Sequence, residues 1–289
     1  MLDELLAGLK KKDRRSLARL ITLAARGEPI LLGPSARQAR VLAVTGSGGV
    51  GKSTLIGKLI EQFRALEKSV AVLACDPESP LTGGALLGDR FRMPAKPDDT
   101  GVYIRSLAAR SGQQAVAEHL ETIVRLCEQF GFEIILIETA GAGQGDTDVR
   151  NLADVVVLLL QPETGDDLQW EKAGLLEVAD VIVVHKADLP GVEQAVAQIQ
   201  GMVELSGRAV AVLPVSSKTG QGLAELARKL TELPLRTRSA SDHTQLLQLL
   251  KAEVERRYRN IDRSGALATI VQGKATNEER VQAILEHLV

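Results

Sequence analysis

The sequence predicts an α/β fold: a mostly parallel central sheet flanked by helices, with further helical extensions at both ends. Three observations carry this. Seven apolar runs of strand length, rich in β-branched residues, alternate between residues 41 and 217 with stretches of helical spacing. Most of these runs are unbroken rather than alternating, which is the pattern of strands covered on both faces. One run passes through GSGGVGKST (46–54) directly into LIGKLI (55–60), giving a strand, a glycine-rich turn and a helix start in succession.

The expected strands are 41–46 (VLAVTG), 70–76 (VAVLACD), 102–107 (VYIRSL), 134–140 (IILIETA), 155–160 (VVVLLL), 181–188 (VIVVHKAD) and 209–217 (AVAVLPVSS). Residues 1–38 read as an N-terminal helical extension, with Leu5, Leu6, Leu9, Leu17, Leu20 and Ile21 forming an apolar stripe before the loop GEPILLGPSAR. Residues 39–235 read as the main domain. Beyond Pro234 a polar linker leads to Leu247, Leu250, Val254, Tyr258 and Ile261 at helical spacing among charges, and Val281, Ile284, Leu285 and Leu288 repeat the pattern. Residues 236–289 are therefore a C-terminal helical extension: either a solvated charged face or a dimerisation arm.

Composition narrows the function classes. A net charge of −2 gives no basic excess for nucleic acid or an anionic membrane, and aromatics at 2% are too few for base-stacking platforms. Cys75 and Cys127 lie in apolar segments and form no CxxC pair, which argues against a disulfide framework or a cysteine zinc site. The charged start MLDELLAGLKKKDRR does not fit a signal peptide, and no apolar run approaches a membrane span. The expectation is a cytoplasmic protein that binds neither nucleic acid nor membrane.

The glycine-rich turn satisfies GxxxxGK[ST] through Gly46, Gly51, Lys52 and Ser53, and narrows the fold to a P-loop NTPase. Its glycines let successive backbone N–H groups turn towards phosphate oxygens, and the following helix aims its positive dipole end at the same anion. Gly46, Ser47, Gly48, Gly49, Val50, Gly51, Lys52, Ser53 and Thr54 are thus expected to hold phosphate, with Lys52 at the β- and γ-phosphates and Ser53 on Mg²⁺. A magnesium nucleotide also needs carboxylates near the carboxyl ends of strands. Asp76 and Glu138 stand at such ends and Asp89 lies in the loop GGALLGDRFRM. Singly, each reads as well as an ordinary strand-end or solvated acid.

The base-side signal is VVHKAD. Guanine-binding proteins carry Asn-Lys-x-Asp at such a strand end, the aspartate accepting from guanine N1–H and the 2-amino group. Adenine has no such donor pair and would leave the carboxylate unsatisfied. Lys186 and Asp188 fit the pattern, while His185 stands in place of asparagine. A histidine N–H there can donate to the purine N7, or the ring can simply pack. Ser216, Ser217 and Lys218 in PVSSKTGQGLAEL (214–226) fit a loop closing over the base. Two base-side segments in this order point to guanine over adenine, and so to GTP and GDP.

Longer segments, DPESPLTGGALLGDRFRM (76–93), IRSLAARSG (104–112), IETAGAGQ (137–144) and DDLQWEKAGLLEVADVIVVHKADL (166–189), resemble the MeaB/ArgK family of P-loop GTPases over roughly residues 10 to 230. The resemblance implies a GTPase chaperone of an adenosylcobalamin-dependent acyl-CoA mutase, chiefly methylmalonyl-CoA mutase, that gates cofactor delivery and protects or reactivates the mutase. It also implies slow turnover stimulated by the partner, and a homodimer. By position it makes Asp76, Asp89 and Glu138 the acidic Mg²⁺-site residues and Gly141 a γ-phosphate contact. Segment 163–173 resembles a loop that senses the mutase, with Gln169 and Lys172 directed to the nucleotide; by its residues alone it is a polar connection. Gln144 and Lys172 are alternative water-positioning or charge-supplying groups beside Lys52. The sequence departs from the family at His185, in the GDTD after Gln144, and in its short C-terminal region.

Three other readings compete. A nucleotide-gated adaptor that binds GTP but hardly turns over would carry the same motifs, because the missing catalytic group can come from the partner. A metal-delivery GTPase of the nickel-insertase kind would need Cys/His ligands, and the chain has two cysteines and the scattered His119, His185, His243 and His287. A kinase acting on a transport protein would need a phosphoacceptor site that no motif supplies.

Overall fold

The computed structural model describes residues 2–30, 32–33, 39–77, 99–109, 117, 119–140, 149–162 and 177–235, together with Leu250, Val254 and Tyr258. Seven strands form one sheet: β1 (Arg40–Thr45), β2 (Val70–Pro77), β3 (Val102–Ala109), β4 (Ile134–Glu138), β5 (Val155–Leu160), β6 (Val181–His185) and β7 (Ala211–Val215). Their spatial order is β3-β2-β4-β1-β5-β6-β7, and every pairing is parallel. The described helices are α1 (Leu2–Lys10), α2 (Arg14–Ala25), α3 (Lys52–Ala65), α4 (Leu120–Phe130), α5 (Val192–Leu205) and α6 (Leu223–Glu232). The chain divides into two compact units, Met1–Arg26 with Leu32–Ser239 and Gly27–Leu31 with Ala240–Val289. The sheet and all six helices belong to the first.

The unbroken apolar runs are buried as their composition requires. β4, β5 and β6 are buried at every residue. Alternate side chains serve opposite faces: Val157, Leu159 and Val183 join a core with α3 and α6, while Leu158, Leu160, Ile182 and Val184 join one that includes Ile199 of α5.

The N-terminal stretch forms two helices rather than a continuous one. Lys12 takes φ +59 and Asp13 caps α2, accepting from the Arg15 and Ser16 N–H groups. α2 then lies along the edge strand β3. Arg14 donates to the Val102 carbonyl and stands over the Tyr103 ring, and Arg105 donates to Thr22 Oγ1 at 2.9 Å.

Strand ends differ from expectation for local reasons. β6 stops at His185 because Lys186 turns left-handed at φ +58. β7 begins at Ala211, opposite Val181, where its neighbour β6 begins.

The opposite, amino edge of the sheet carries a rim of carboxylates. Asp154 Oδ2 accepts from Val41 N at 2.8 Å, Asp180 Oδ2 from Val156 N at 2.8 Å, and Glu133 Oε2 from Ser69 N at 3.2 Å. Each acid precedes one strand and satisfies a backbone donor on the chain beside it. Asp154 is buried, so Asp154→Ala strands the Val41 N–H. The expected loss of stability is about 1–3 kcal/mol in urea denaturation; an unchanged midpoint would show that water reaches this donor.

Candidate functional site

All seven strands point the same way, so their carboxyl ends share one edge. β1 sits centrally between β4 and β5, where chain direction across the sheet reverses, and such a crevice is where open parallel sheets bind ligands. The turn after β1 fills it. Gly46 adopts φ +144, and a Cβ there would lie 2.5 Å from the Leu159 carbonyl oxygen, so the loop rests directly on β5. Gly51 adopts φ +103, and a Cβ there would lie 2.6 Å from the His185 ring. Only glycine fits both positions.

Past Gly51, α3 begins at Lys52. The Lys52 Nζ donates to the Gly46 and Ser47 carbonyls at 2.8 and 3.2 Å, a buried ammonium held over the turn. Ser53 Oγ donates to Glu138 Oε1 at 2.6 Å. Register sets that pair, because Glu138 ends β4 opposite Val44 of β1 and Ala74 of β2. Asp76, two residues beyond Ala74, completes the wall. These groups line a cavity of about 410 Å³ with Gly48, Gly49, Gly51, Lys52, Thr54 and Cys75. Thr139, at its rim, donates to Thr45 Oγ1 at 3.1 Å.

A second cluster lies at the ends of β6 and β7. Ser216 Oγ donates to Asp188 Oδ1 at 2.6 Å, and Lys218 pairs with Oδ2 at 3.6 Å. The Ser216 hydroxyl, aided by Lys218, holds the Asp188 carboxyl below the usual carboxylate range. Lys186 donates to Gln161 Oε1 at 2.8 Å, just past β5. His185 is buried between the clusters: Nδ1 meets the Val50 carbonyl at 2.8 Å and Nε2 the Ser217 hydroxyl at 2.7 Å. Burial pushes its imidazole below the ordinary histidine value.

The structure thus brings Gly48, Gly49, Gly51, Lys52, Ser53, Thr54, Asp76 and Glu138 around one cavity, with Gly46, Ser47 and Val50 in the same turn, and His185, Lys186, Asp188, Ser216, Ser217 and Lys218 into an adjoining cluster. Asp89, Gly141, Gln144, Gln169 and Lys172 lie outside the described residues. Thr139, Cys75 and Gln161 were not among the site residues expected from the sequence. Gln161 follows β5 with no motif to mark it.

The model of the family described as methylmalonyl-CoA mutase-associated GTPase MeaB matches residues 17–284. The chain belongs to the MeaB family. A MeaB-family protein is a P-loop GTPase, and a relative in Pyrococcus horikoshii named as a GTPase is 39% identical over 244 residues, 80% of this chain and 77% of that protein. A second relative, a fused isobutyryl-CoA mutase of Cupriavidus metallidurans, is 37% identical over 204 residues, 67% of this chain but only 18% of that protein. Among solved structures, one titled LAO/AO transport system kinase matches with a TM-score of 0.61 and 24% identity, covering 99% of this chain and 96% of that one. At that identity the likeness establishes the fold that this MeaB protein shares.

Two predictions come from the site. Gly51→Ala forces a Cβ into the His185 ring at a left-handed φ, so nucleotide affinity should fall at least about tenfold, with a lower melting temperature. Calorimetric titration checks the first and thermal unfolding the second; wild-type affinity would mean that the ring yields. Cys75 and Cys127 are buried, and burial pushes the Cys75 thiol up to about 12. Neither should react with a thiol reagent at pH 8 until the chain unfolds, whereupon both should.

Proposed function

We propose that this MeaB-family GTPase serves an adenosylcobalamin-dependent acyl-CoA mutase, gating cofactor delivery and protecting or reactivating the mutase through its nucleotide state. The observation that carries this reading is the relative named as a fused isobutyryl-CoA mutase, whose matched portion is about a fifth of its length. A module joined covalently to a mutase in one protein serves a separate mutase in another. Methylmalonyl-CoA mutase, named in the family description, is the first partner to test. The family match also favours this reading over metal delivery or action on a transport protein.

In this reading the loop Gly46 to Thr54 cradles the phosphates, and Lys52 leaves its two carbonyls for the β- and γ-phosphate oxygens. Ser53, Asp76, Asp89 and Glu138 hold Mg²⁺. The donor set supports that assignment: Ser53, Glu138 and Asp76 offer oxygens only, as a hard cation requires. When bound, Mg²⁺ neutralises charge on the transferring phosphate. Ser53 would offer its hydroxyl oxygen, and Glu138 a carboxylate oxygen, to that ion. Gly141 meets the γ-phosphate, and the partner completes hydrolysis by setting Gln144 or Lys172, with Gln169, against the nucleotide. Asp188 reads guanine, and Lys186, Ser216, Ser217 and Lys218 close the base side. Asp188 is already held ionised by Ser216 and Lys218, the state in which it accepts two hydrogen bonds.

We further propose a cytoplasmic homodimer that assembles through the C-terminal extension. Leu250, Val254 and Tyr258 recur every four residues, all helical and all exposed, at 59%, 41% and 44%. Such a stripe suits a second copy of itself. Among the described residues, no helix is long and apolar enough to cross a membrane.

Calorimetry of GDP and ADP in Mg²⁺ tests the base assignment. GDP should bind about 100-fold more tightly, roughly 2.7 kcal/mol, and Asp188→Ala should erase the preference. Equal affinity for ADP would sink it. GTP turnover should then rise when a cognate mutase is added; no response to any acyl-CoA mutase would remove the partner from the proposal.

A further inference from the structure

The two halves of the site belong to different parts of the chain. Val50 and Gly51 lie in the phosphate loop after β1, and Ser217 lies in the loop after β7. His185 stands between them, 3% exposed, and uses both ring nitrogens. The Val50 carbonyl can only accept, so Nδ1 carries the proton and donates it. Nε2 is then the acceptor, and Ser217 must donate its hydroxyl proton. One neutral tautomer satisfies three buried polar groups at once. The ring also lies against Gly51 closely enough to exclude a Cβ there. No nitrogen of this ring is left to contact a purine.

We propose that His185 is a positioning residue that locks the base loop to the phosphate loop through Ser217 and Val50, so that the two halves of the nucleotide site assemble as one unit. The inference rests on the guanine-nucleotide reading and deepens it. An imidazole suits the task because its two nitrogens reach opposite sides of one rigid ring. An asparagine has its amide nitrogen and oxygen on a single carbon and spans less.

The lock is also titratable. A second proton on the ring turns Nε2 into a donor facing Ser217 and places a charge in a buried space. The charged groups around it come from all three elements. Lys186 and Asp188 follow on from β6, with opposite effects. Lys218 lies next to Ser217 on the base loop. Lys52 opens α3, its ammonium turned to the Gly46 and Ser47 carbonyls. Burial dominates and holds the ring neutral. The sign follows: the lock is intact above the ordinary histidine range and is lost as pH falls through the depressed native value. Protonation therefore favours release of the base loop into water, and acid weakens nucleotide binding.

The experiment is GDP titration of the full chain in Mg²⁺ at pH 7.5 and 5.5, with wild type, His185→Asn, His185→Phe and Ser217→Ala. His185→Asn retains an amide donor for Val50 and cannot titrate. The ratio of its Kd to that of wild type at each pH cancels titration of the GDP phosphate itself. At pH 7.5, Ser217→Ala and His185→Phe should weaken GDP about tenfold, and His185→Asn, which keeps a donor for Val50 but does not span to Ser217, should fall between His185→Phe and wild type. Between pH 7.5 and 5.5, wild type should lose more affinity than His185→Asn, whose amide does not titrate. Should His185→Phe fail to fold, Ser217→Ala breaks the lock from the other side with the ring in place. Wild-type affinity in Ser217→Ala, or equal pH profiles for wild type and His185→Asn, would overturn the proposal. Failure of wild type itself to bind GDP would instead overturn the guanine-nucleotide reading beneath it.

Discussion

The parallel pairing of β1 with β4 on one side and β5 on the other is the interaction on which the rest of this molecule depends. It puts the carboxyl end of β1 at the middle of the sheet, with Glu138 and Leu159 beside it. The phosphate loop then has a floor, the Leu159 carbonyl under Gly46, and a wall, the Glu138 carboxylate beside Ser53. A slip of one residue in β4 would turn Glu138 to the opposite face and separate it from Ser53. The β-branched residues that fix this register by being buried on both faces therefore place the polar groups as well.

Much of this was legible in the sequence because burial on both faces leaves an unmistakable composition. VVVLLL and VIVVH can hardly be anything but interior strands. The loop was legible because its glycines answer to geometry within a few residues of themselves. What could not be read were contacts between distant segments. His185 meets Val50 across 135 positions and Ser217 across 32, and no local pattern marks a ring as bridging the two. The carboxylate rim escaped for a similar reason. Asp154 looks like a polar residue ahead of a strand, and its acceptor role appears only once β1 lies alongside. The break at Lys12 and Asp13 was a local signal outweighed by a continuous apolar stripe.

Fold and family answer different questions here. The structural likeness to a protein titled as a transport-system kinase covers nearly the whole chain, yet it fixes only the architecture, since this scaffold carries many chemistries. The family match reaches further because it rests on the residues themselves, including those in loops that a shared fold leaves free to vary. GTP hydrolysis comes with the family. The loops between strands are where a common architecture imposes little.

The far edge of the sheet has a separate consequence for how safely the chain can be handled by a cell. Among the described residues β7 pairs with β6 alone, and an edge strand of this kind can template extension by a strand of a foreign chain. Pro214 sits within it, opposite Val184. Proline has no N–H to add to a ladder, and one interruption in a five-residue strand spoils the continuous pairing that a template needs. The opposite edge, β3, is engaged by α2: Arg14 donates to the Val102 carbonyl, and Arg105 of β3 reaches Thr22. One edge is interrupted by a proline and the other is engaged by a helix, and each feature works against continuous pairing with a further strand.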